Sequence, residues 1–276
     1  MGKAPVWKKS LIYAFLSIIG VFNIMPILWM LMNSFKSEQD YSKHPLTWPK
    51  AWFFSNYMEA WKVAKLGVYF WNSIFVTAVA VVATVLLGAL ASYFLSRFIF
   101  KGQKLVSGIF LLGMVIPIHA TIIPTFITMN KIGLLNTHLS LILAYVAFHL
   151  SLTVYILVGF MKSYPKDIEE SAIMDGSGVY RIFWSIILPM TRPALATVVI
   201  LNFIYNWNEY LFALVLINDS ALKTLPLGLS NFASKETTSY TLQMAALGMA
   251  LLPILTVYLA LEKQLVQGMT VGAVKG

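Results

Sequence analysis

Cysteine is absent from the 276-residue sequence, which excludes disulfide bonds, thiolate metal sites and cysteine nucleophiles. Charge is also scarce: Asp, Glu, Lys and Arg make up 11% of the chain, whereas a soluble domain carries about 25%. A surface so poor in charge suits hydrocarbon better than water. The four histidines are scattered and lack the spacing of metal ligands. The sequence therefore predicts a membrane protein without a metal site.

A phosphate-binding loop is missing as well. Such a loop needs Gly-x4-Gly-Lys-Ser/Thr, whose backbone amides surround phosphate, and the only Gly-Lys pair is Gly2-Lys3. The sequence also shows no signature of a catalytic triad. We therefore expect this chain to be no enzyme and to bind no cofactor of its own.

Long apolar runs are what the sequence has in abundance, since 59% of its residues are hydrophobic. A helix needs about 20 apolar residues to cross the hydrocarbon core of a bilayer. Six runs are long enough, namely 11–32, 70–95, 105–128, 139–160, 194–217 and 241–261. The first run is too long for a signal-peptide core and no small-residue cleavage site follows it. The sequence predicts an all-α membrane protein, a single domain over 1–276 with six transmembrane helices in a lipid bilayer.

The basic residues predict the orientation of these spans. The N-terminus, the loops after predicted spans two and four, and the C-terminus together carry twelve of the 20 lysines and arginines, including all three arginines. Basic residues concentrate in loops that stay cytoplasmic, so we expect both termini in the cytoplasm. The net charge of +9 then reflects topology and not a nucleic-acid partner. The aromatic-rich loop 33–69 fits either interfacial anchoring or docking of an extracytoplasmic partner.

Two predicted spans contain residues that are unusual at membrane depth. Pro117 and Pro124 interrupt the third span, and each removes a backbone donor. The freed carbonyls must find partners in protein or water, so this helix either lines a cavity or is an ordinary kinked helix. Asn206, Asn208 and Glu209 cluster in the fifth span, where a charge is costly. They are candidates for a translocation pathway, or for a structural hydrogen-bonding cluster between helices.

The segment 165–189 is polar and punctuated by glycine. Pro165 suits the start of a helix, and Asp167, Glu169 and Glu170 follow it, where the helix dipole favours negative charge. A breaker cluster at 175–178 ends this helix. Apolar residues then recur at helical spacing, at Val179, Ile182, Phe183, Ile186 and Ile187. This pattern predicts a helix–turn–helix element at the cytoplasmic surface. It fits equally a lever for a soluble partner and a re-entry helix without one.

The spacing of this segment resembles the signature of permease subunits of ABC importers. That signature reads Glu-Ala-Ala, three residues, Gly, nine residues and Ile-x-Leu-Pro. The sequence has Glu170-Ser171-Ala172, then Gly176, then 186–189, and Ser171 is its one departure. The stretches at 133–143, 207–216 and 268–276 resemble the carbohydrate-type permeases, in particular the shorter, maltose-permease-like partner of a heterodimer.

This resemblance implies a type I ABC importer permease whose 165–189 element is a coupling helix docking on an ATPase. The residues it assigns to ATPase coupling are Glu169, Glu170, Ser171, Ala172, Asp175, Gly176, Ile186, Leu188 and Pro189. It also implies a second homologous permease subunit, an ATPase dimer that uses ATP and Mg, and an extracytoplasmic solute-binding protein. The cytoplasmic tail 262–276 is expected to reach toward the ATPase dimer with residues 269–276. Such a chain is a multi-pass protein of a bacterial or archaeal plasma membrane.

The expected function is import of a sugar or oligosaccharide by alternating access, driven by ATP hydrolysis in partner subunits. Pro117, Pro124, Asn206, Asn208 and Glu209 are then the candidate pathway residues. One alternative is an ABC importer permease for another class of solute. A second is an ion-coupled secondary transporter, which needs midplane carboxylates and paired broken helices, and only Glu209 fits. A third, with little support in the sequence, is a membrane-embedded enzyme or receptor.

Overall fold

The computed structural model describes residues 6–63, 65–233 and 239–273, and in these ranges it is helical, with no strand. The predicted all-α class is confirmed. The helices in chain order are α1 Val6–Ser34, α2 Glu38–Lys43, α3 Ser55–Val63, α4 Leu66–Arg97, α5 Gln103–Val115, α6 Ile122–Lys131, α7 His138–Ser163, α8 Asp167–Met174, α9 Val179–Ile182, α10 Leu188–Met190, α11 Arg192–Trp207, α12 Leu211–Leu216, α13 Leu225–Ala233 and α14 Tyr240–Ala273.

Four helices are individually long and apolar enough to cross a membrane. They are Trp7–Ser34, Leu66–Arg97, His138–Ser163 and Tyr240–Gln264. These segments correspond to predicted spans one, two, four and six, each longer than its apolar run by a few residues. The polar ends are included because a helix continues until its backbone groups find caps or water.

The third predicted span, 105–128, is broken in the structure, where Gln103–Val115 and Ile118–Lys131 meet at 98°. The fifth, 194–217, is also not one helix, because α11 ends at Trp207 and α12 begins at Leu211. A further bend of 76°, between Val179–Met190 and Arg192–Trp207, precedes the fifth predicted span. The first break lies at Ile116 and Pro117, both extended, since a proline disfavours helical backbone in the residue before it. Within the described residues the candidate spans number four, or up to six if each bent pair counts as one, so the six-span arrangement stays a prediction.

The chain divides into two compact units. The first runs to Gly67 and includes Gly228–Leu252, and the second comprises Val68–Leu227 and the chain from Pro253. In the first unit, Glu38 accepts hydrogen bonds from the backbone N–H groups of Tyr240 and Thr241, both at 3.2 Å. A carboxylate at this position satisfies donors that the start of α14 leaves unpaired. The loop 33–69 is thus an ordered structure that contains α2 and α3 and caps α14.

Lys36 is the buried charge of the first unit. Its Nζ donates a 2.7 Å hydrogen bond to the carbonyl oxygen of His44. Burial lowers the pKa of Lys36, and the nearby Asp40 carboxylate opposes that shift. Asn56 donates 2.8 Å hydrogen bonds to the carbonyl oxygens of Ser34 and Lys36. Together these bonds fix the backbone that leaves α1. In contrast, the window of α1 that fits a membrane has no buried residue, so this helix presents its apolar side chains for lipid or another subunit.

The second unit is held together by close helix contacts and two apolar clusters. A Cβ built on Gly88 of α4 would lie 2.6 Å from Cγ2 of Thr153 in α7, so the two helices approach too closely there for a larger residue. Asn202 of α11 donates a 3.0 Å hydrogen bond to the hydroxyl of Thr153. Small residues and interhelical hydrogen bonds of this kind hold helices together where lipid surrounds them.

The C-terminal tail is an extension of α14. Its backbone continues as helix through the predicted tail to Ala273. Residues 274–276, which end the tail assigned to the ATPase dimer, lie outside the described residues, as do Gly2 and Lys3.

Candidate functional site

The first half of the 165–189 element is a short helix closed by a glycine. α8 ends at Met174, and Gly176 adopts a left-handed φ of +79°. The N–H of Gly176 donates to the carbonyl oxygen of Ile173, and the N–H of Ser177 donates to that of Ala172, both at 2.9 Å. These two bonds form the Schellman motif, which satisfies carbonyl groups at a helix end. Gly176 is therefore required by backbone geometry, as its place in the signature suggests.

The second half of the element contains a widened helical turn just before its proline. Residues 183–187 form a π-turn, and the N–H of Leu188 donates to the carbonyl oxygen of Phe183, five residues back. A proline at 189 lacks an N–H and would clash with the preceding α-helical turn. The wider turn removes this conflict, and the chain then bends by 76° into α11.

The two faces of α8 have opposite environments. Glu169 and Ala172 are buried, whereas Glu170, Ser171, Asp175 and Gly176 are exposed. Ala172 belongs to an apolar cluster with residues of α4, α7 and α11. This cluster includes Ala89, Tyr93, Leu157, Met161, Ile182, Phe183, Ile187 and Val198.

The apolar stripe predicted for the second half largely packs into this cluster. Ile182, Phe183 and Ile187 are buried, and Ile186 and Leu188 pack against the cluster while partly exposed. Val179 differs from the prediction, since its side chain is 48% exposed. It lies in the first turn of α9, where the chain leaves the exposed glycine turn. The element is thus anchored along its second half.

A buried ion pair joins α8 to the end of α4. Nε of Arg97 lies 2.5 Å from Oε1 of Glu169, and the two side chains are 5% and 11% exposed. The hydroxyl of Tyr93 donates a 3.3 Å hydrogen bond to Oε2 of the same carboxylate. In the sequence Arg97 stands out only as one of the three arginines that indicate orientation, and the contact was not predicted. The signal that the sequence does carry is the second acidic residue, directly before the signature's Glu170.

Tyr164 connects Arg97 to the far end of the element. Nη1 of Arg97 donates a 3.3 Å hydrogen bond to the Tyr164 carbonyl oxygen, and the Tyr164 hydroxyl donates a 2.8 Å bond to the Met190 carbonyl oxygen. Burial raises the pKa of Tyr164, so this hydroxyl stays a donor at neutral pH. Arg97 therefore contacts the start of the element directly, and the far end is linked to it through Tyr164.

The exposed side of the element carries large apolar side chains next to charge. Met174 is 87% exposed, Tyr180 is 83% exposed, and Glu170 lies on the same helix as Met174. Together with Ile173 these residues form what we call the docking face. Exposed methionine and tyrosine beside charged groups are typical of a protein interface core and rim. Met174 and Tyr180 were missing from the residues assigned from the sequence.

A cavity of about 500 Å³ lies beside the break between α11 and α12. It brings two of the five candidate pathway residues together, Asn208 and Glu209. Its lining residues are Ile118, His119, Tyr145, Phe148, His149, Ile204, Tyr205, Asn208, Glu209, Tyr210, Leu211 and Phe212. Asn206, Pro117 and Pro124 are not among them, although Pro117 directly precedes Ile118.

Glu209 is held by three hydrogen bonds. Oε1 accepts from the N–H of Phe212 at 2.7 Å, and Oε2 accepts from the N–H of Ala213 at 3.1 Å and from the Tyr145 hydroxyl at 2.7 Å. The carboxylate thus caps the N-terminus of α12, where negative charge is favoured. These hydrogen bonds fit a structural role for Glu209. Because Glu209 also lines the cavity, it stays a candidate pathway residue.

The other candidate pathway residues have separate environments. Asn206 is buried, next to the ring of His149, and Asn208 is exposed and donates a 2.8 Å hydrogen bond to the Ile204 carbonyl oxygen. Pro117 and Pro124 are both exposed. The carbonyl oxygen of Pro124 accepts a 2.8 Å hydrogen bond from the Thr128 hydroxyl.

Aromatic rings form the broad walls of the cavity. The rings of His149 and Tyr205 are stacked, with centroids 5.4 Å apart and an angle of 15° between planes. Phe148 and Phe212 pack at 4.6 Å. Glu209 is the only acidic residue in the lining, which contains no lysine or arginine. Flat rings with a few polar groups at their edges can hold a neutral, hydroxyl-rich molecule.

Comparison with known proteins identifies a family whose members resemble most of the chain. The family described as "Binding-protein-dependent transport system inner membrane component" matches residues 84–271. The diacetylchitobiose uptake system permease protein NgcG of Streptomyces coelicolor is 38% identical over 262 residues, covering 94% of this chain and 87% of that protein. The melibiose/raffinose/stachyose import permease protein MelC of Bacillus subtilis is 33% identical over 277 residues, covering 100% of both chains.

A solved structure shares the fold. One chain of the crystal structure of a bacterial ABC transporter involved in import of the acidic polysaccharide alginate superposes with a TM-score of 0.82 at 24% identity. The match covers 95% of this chain and 99% of that chain. The chain therefore shares its helical fold with one chain of that transporter.

Proposed function

Because the chain belongs to the family of binding-protein-dependent transport system inner membrane components, we propose that it is the permease subunit of an ABC importer for a sugar or oligosaccharide. Transport proceeds by alternating access and is driven by ATP hydrolysis in partner subunits. The observation that carries this proposal is the two-sided 165–189 element. One side packs into α4, α7 and α11, and the other exposes the docking face to a soluble partner.

The substrate class follows from the relatives and is consistent with the cavity. The relatives are named for diacetylchitobiose and for melibiose, raffinose and stachyose. The cavity volume of about 500 Å³ lies in the range of about 300–1,000 Å³ of small-molecule sites. Its lining contains a carboxylate and no lysine or arginine, which favours a neutral saccharide over an acidic one.

The proposed assembly has four kinds of component in a bacterial or archaeal plasma membrane. A second homologous permease subunit completes the pathway, an ATPase dimer binds ATP and Mg, and an extracytoplasmic solute-binding protein delivers the sugar. The chain itself is non-catalytic, and both of its termini lie in the cytoplasm. The apolar side chains exposed along α1 support burial of this helix in the bilayer or against another subunit.

The decisive experiment combines a binding screen with reconstitution. The cognate solute-binding protein is titrated with mono- and oligosaccharides by calorimetry, and uptake of the sugar it binds is measured in proteoliposomes holding the complete complex. Glu170→Lys should abolish ATP-driven uptake while the subunit still inserts, because a reversed charge on the docking face repels the ATPase. Lys104→Glu, an exposed charge reversal outside the element, is the matched control and should transport normally.

The competing functions give different results in the same assays. A binding protein that captures amino acids or ions but no saccharide would assign the importer to another solute. Uptake that is abolished by an ionophore but unaffected by ATP depletion would indicate a secondary transporter. The carboxylate of Glu209 already accepts three hydrogen bonds within the chain, which argues against its use as an ion-coupling group. Co-purification with an ATPase subunit from mild detergent excludes a membrane-embedded enzyme or receptor.

A further inference from the structure

One arginine connects three helix ends around the 165–189 element. Arg97 is the last residue of α4, pairs with Glu169 in the first turn of α8, and holds the carbonyl oxygen of Tyr164 directly after α7. Through the hydroxyl of Tyr164 the same network reaches Met190, the last residue of α10. The start of the element is therefore held at the end of one long transmembrane helix, and its far end is joined to the same network through Tyr164.

The short helix α8 has few other anchors. It spans eight residues, of which only Glu169 and Ala172 are buried. An isolated helix shorter than about 12–15 residues is marginal in water, so tertiary contacts decide how α8 is oriented. Ala172 contributes a single methyl group, whereas Glu169 contributes an ion pair and a hydrogen bond from Tyr93. The orientation of α8 depends mainly on the acceptor oxygens of Glu169.

A buried ion pair contributes little net stability. Replacing both partners by apolar residues is often neutral or stabilising, while removing one partner leaves an uncompensated buried charge. The effect of the pair is instead geometric, because a guanidinium presents its donors in a rigid planar fork. Arg97 contacts Glu169 through Nε as a close ion pair, without the geometry of a hydrogen bond, and donates to the Tyr164 carbonyl oxygen through Nη1. The end of α4 is thus linked both to α8 and to the residue directly after α7.

We propose that Arg97 is a positioning residue for energy coupling, holding α8 rigidly on α4 so that displacement of the docking face moves the transmembrane helix. This inference rests on the proposed function. It gives the two adjacent glutamates different roles. Glu169 faces inward and holds α8 in place, and Glu170 faces the ATPase. No contact between Glu169 and the ATPase is needed.

A distance measurement tests the rigid link independently of any substrate. The chain has no native cysteine, so Phe94→Cys on α4 and Asp167→Cys on α8, both exposed and outside the docking face, accept spin labels selectively. In the assembled complex with cysteine-free partners, the distance distribution between the labels should be narrow. Arg97→Met should broaden it at least twofold, and the exposed Arg192→Met should leave it unchanged. An equally narrow distribution in Arg97→Met would overturn the proposal.

Sugar transported per ATP hydrolysed tests the functional consequence. Arg97→Met and Glu169→Gln should each lower this ratio about tenfold while ATP hydrolysis continues, and the double variant should be no worse than the poorer single, since both remove one interaction. Arg97→Lys keeps the charge without the fork and should fall between. Additive effects, or an unchanged ratio, would contradict the positioning role. If the wild-type complex moved no sugar, the proposed function would fail, and the distance measurement would still decide the role of Arg97.

Discussion

The hydroxyl of Tyr145 lies 2.7 Å from Oε2 of Glu209 and donates a hydrogen bond to it. Tyr145 lies in the first half of α7, and Glu209 lies in the break between α11 and α12. The tyrosine is 1% exposed, whereas Glu209 is partly exposed and lines the cavity. The hydrogen bond links one continuous transmembrane helix to the point where the next one is interrupted.

Removing the carboxylate should destabilise this region. Glu209→Ala leaves the N–H groups of Phe212 and Ala213 and the Tyr145 hydroxyl without their acceptor. An unsatisfied buried group costs about 1–3 kcal/mol, so the midpoint of thermal unfolding in detergent should drop clearly. Tyr145→Phe removes only the phenol donor and should cost about 1 kcal/mol. Equal midpoints for Glu209→Ala and the wild type would show that the cap is not needed.

At Gly176 the backbone conformation requires glycine, and the space around the residue does not. A Cβ at this position would meet nothing within 4 Å, yet φ is +79°, a conformation that costs a non-glycine residue about 1–2 kcal/mol. Gly176→Ala should therefore weaken ATP-driven uptake and lower the stability of α8 to hydrogen exchange. Gly178→Ala is the matched control, because Gly178 has φ −75° and equally open surroundings. The control should leave both measurements near wild type.

The close approach of α4 and α7 at Gly88 predicts that a larger residue there is destabilising. The methyl group of Gly88→Ala would lie 2.6 Å from Cγ2 of Thr153, and overpacking of this kind costs about 1–3 kcal/mol. Gly108→Ala in α5 meets nothing within 4 Å and should instead stabilise its helix, by up to about 1 kcal/mol. Thermal unfolding of the two variants should shift in opposite directions. A shift of the same sign in both would mean that α4 and α7 separate easily.

The stacked His149 and Tyr205 rings predict where the pathway holds sugar. Tyr205→Ala removes one ring of the cavity wall, and such aromatic contacts are worth about 1 kcal/mol, or about fivefold in affinity. The apparent KM for sugar uptake should rise by about that factor, while basal ATP hydrolysis should not change. Tyr155→Ala, an exposed tyrosine outside the cavity, should leave the KM as it is. Identical KM values for the two variants would place the sugar elsewhere.

Long apolar runs made four of the helices predictable. A segment surrounded by lipid must be apolar over its whole length, so α1, α4, α7 and α14 are visible in composition alone. The break between Trp207 and Leu211 was not visible, because no glycine or proline marks it. It lies where the side chain of Glu209 accepts hydrogen bonds from Phe212 and Ala213 and so caps a new helix. The Tyr145 hydroxyl of α7 holds the same carboxylate, and composition does not encode that contact.

The residues of the candidate site were likewise only partly predictable from the sequence. Glycine spacing predicted the turn at Gly176, since only a local backbone requirement is involved. The different roles of Glu169 and Glu170 were not predictable, because two adjacent glutamates look identical until burial is known. What separates them is Arg97, a residue far away in the sequence, and only the folded chain brings it within 2.5 Å of Glu169.

Glu169 is buried and Glu170 is exposed. The function of the signature therefore depends on the side of α8 that each residue faces, as well as on the spacing between residues. Each residue of an α-helix turns the side chain by about 100°, so a single deletion early in α8 would carry Glu170 toward Arg97. A carboxylate would still meet the guanidinium, but Met174 would turn by the same angle and Asp175 would take its place. The chain could keep every residue of the motif and still present the wrong surface. Length changes of one residue in α8 are therefore more damaging than most substitutions within it.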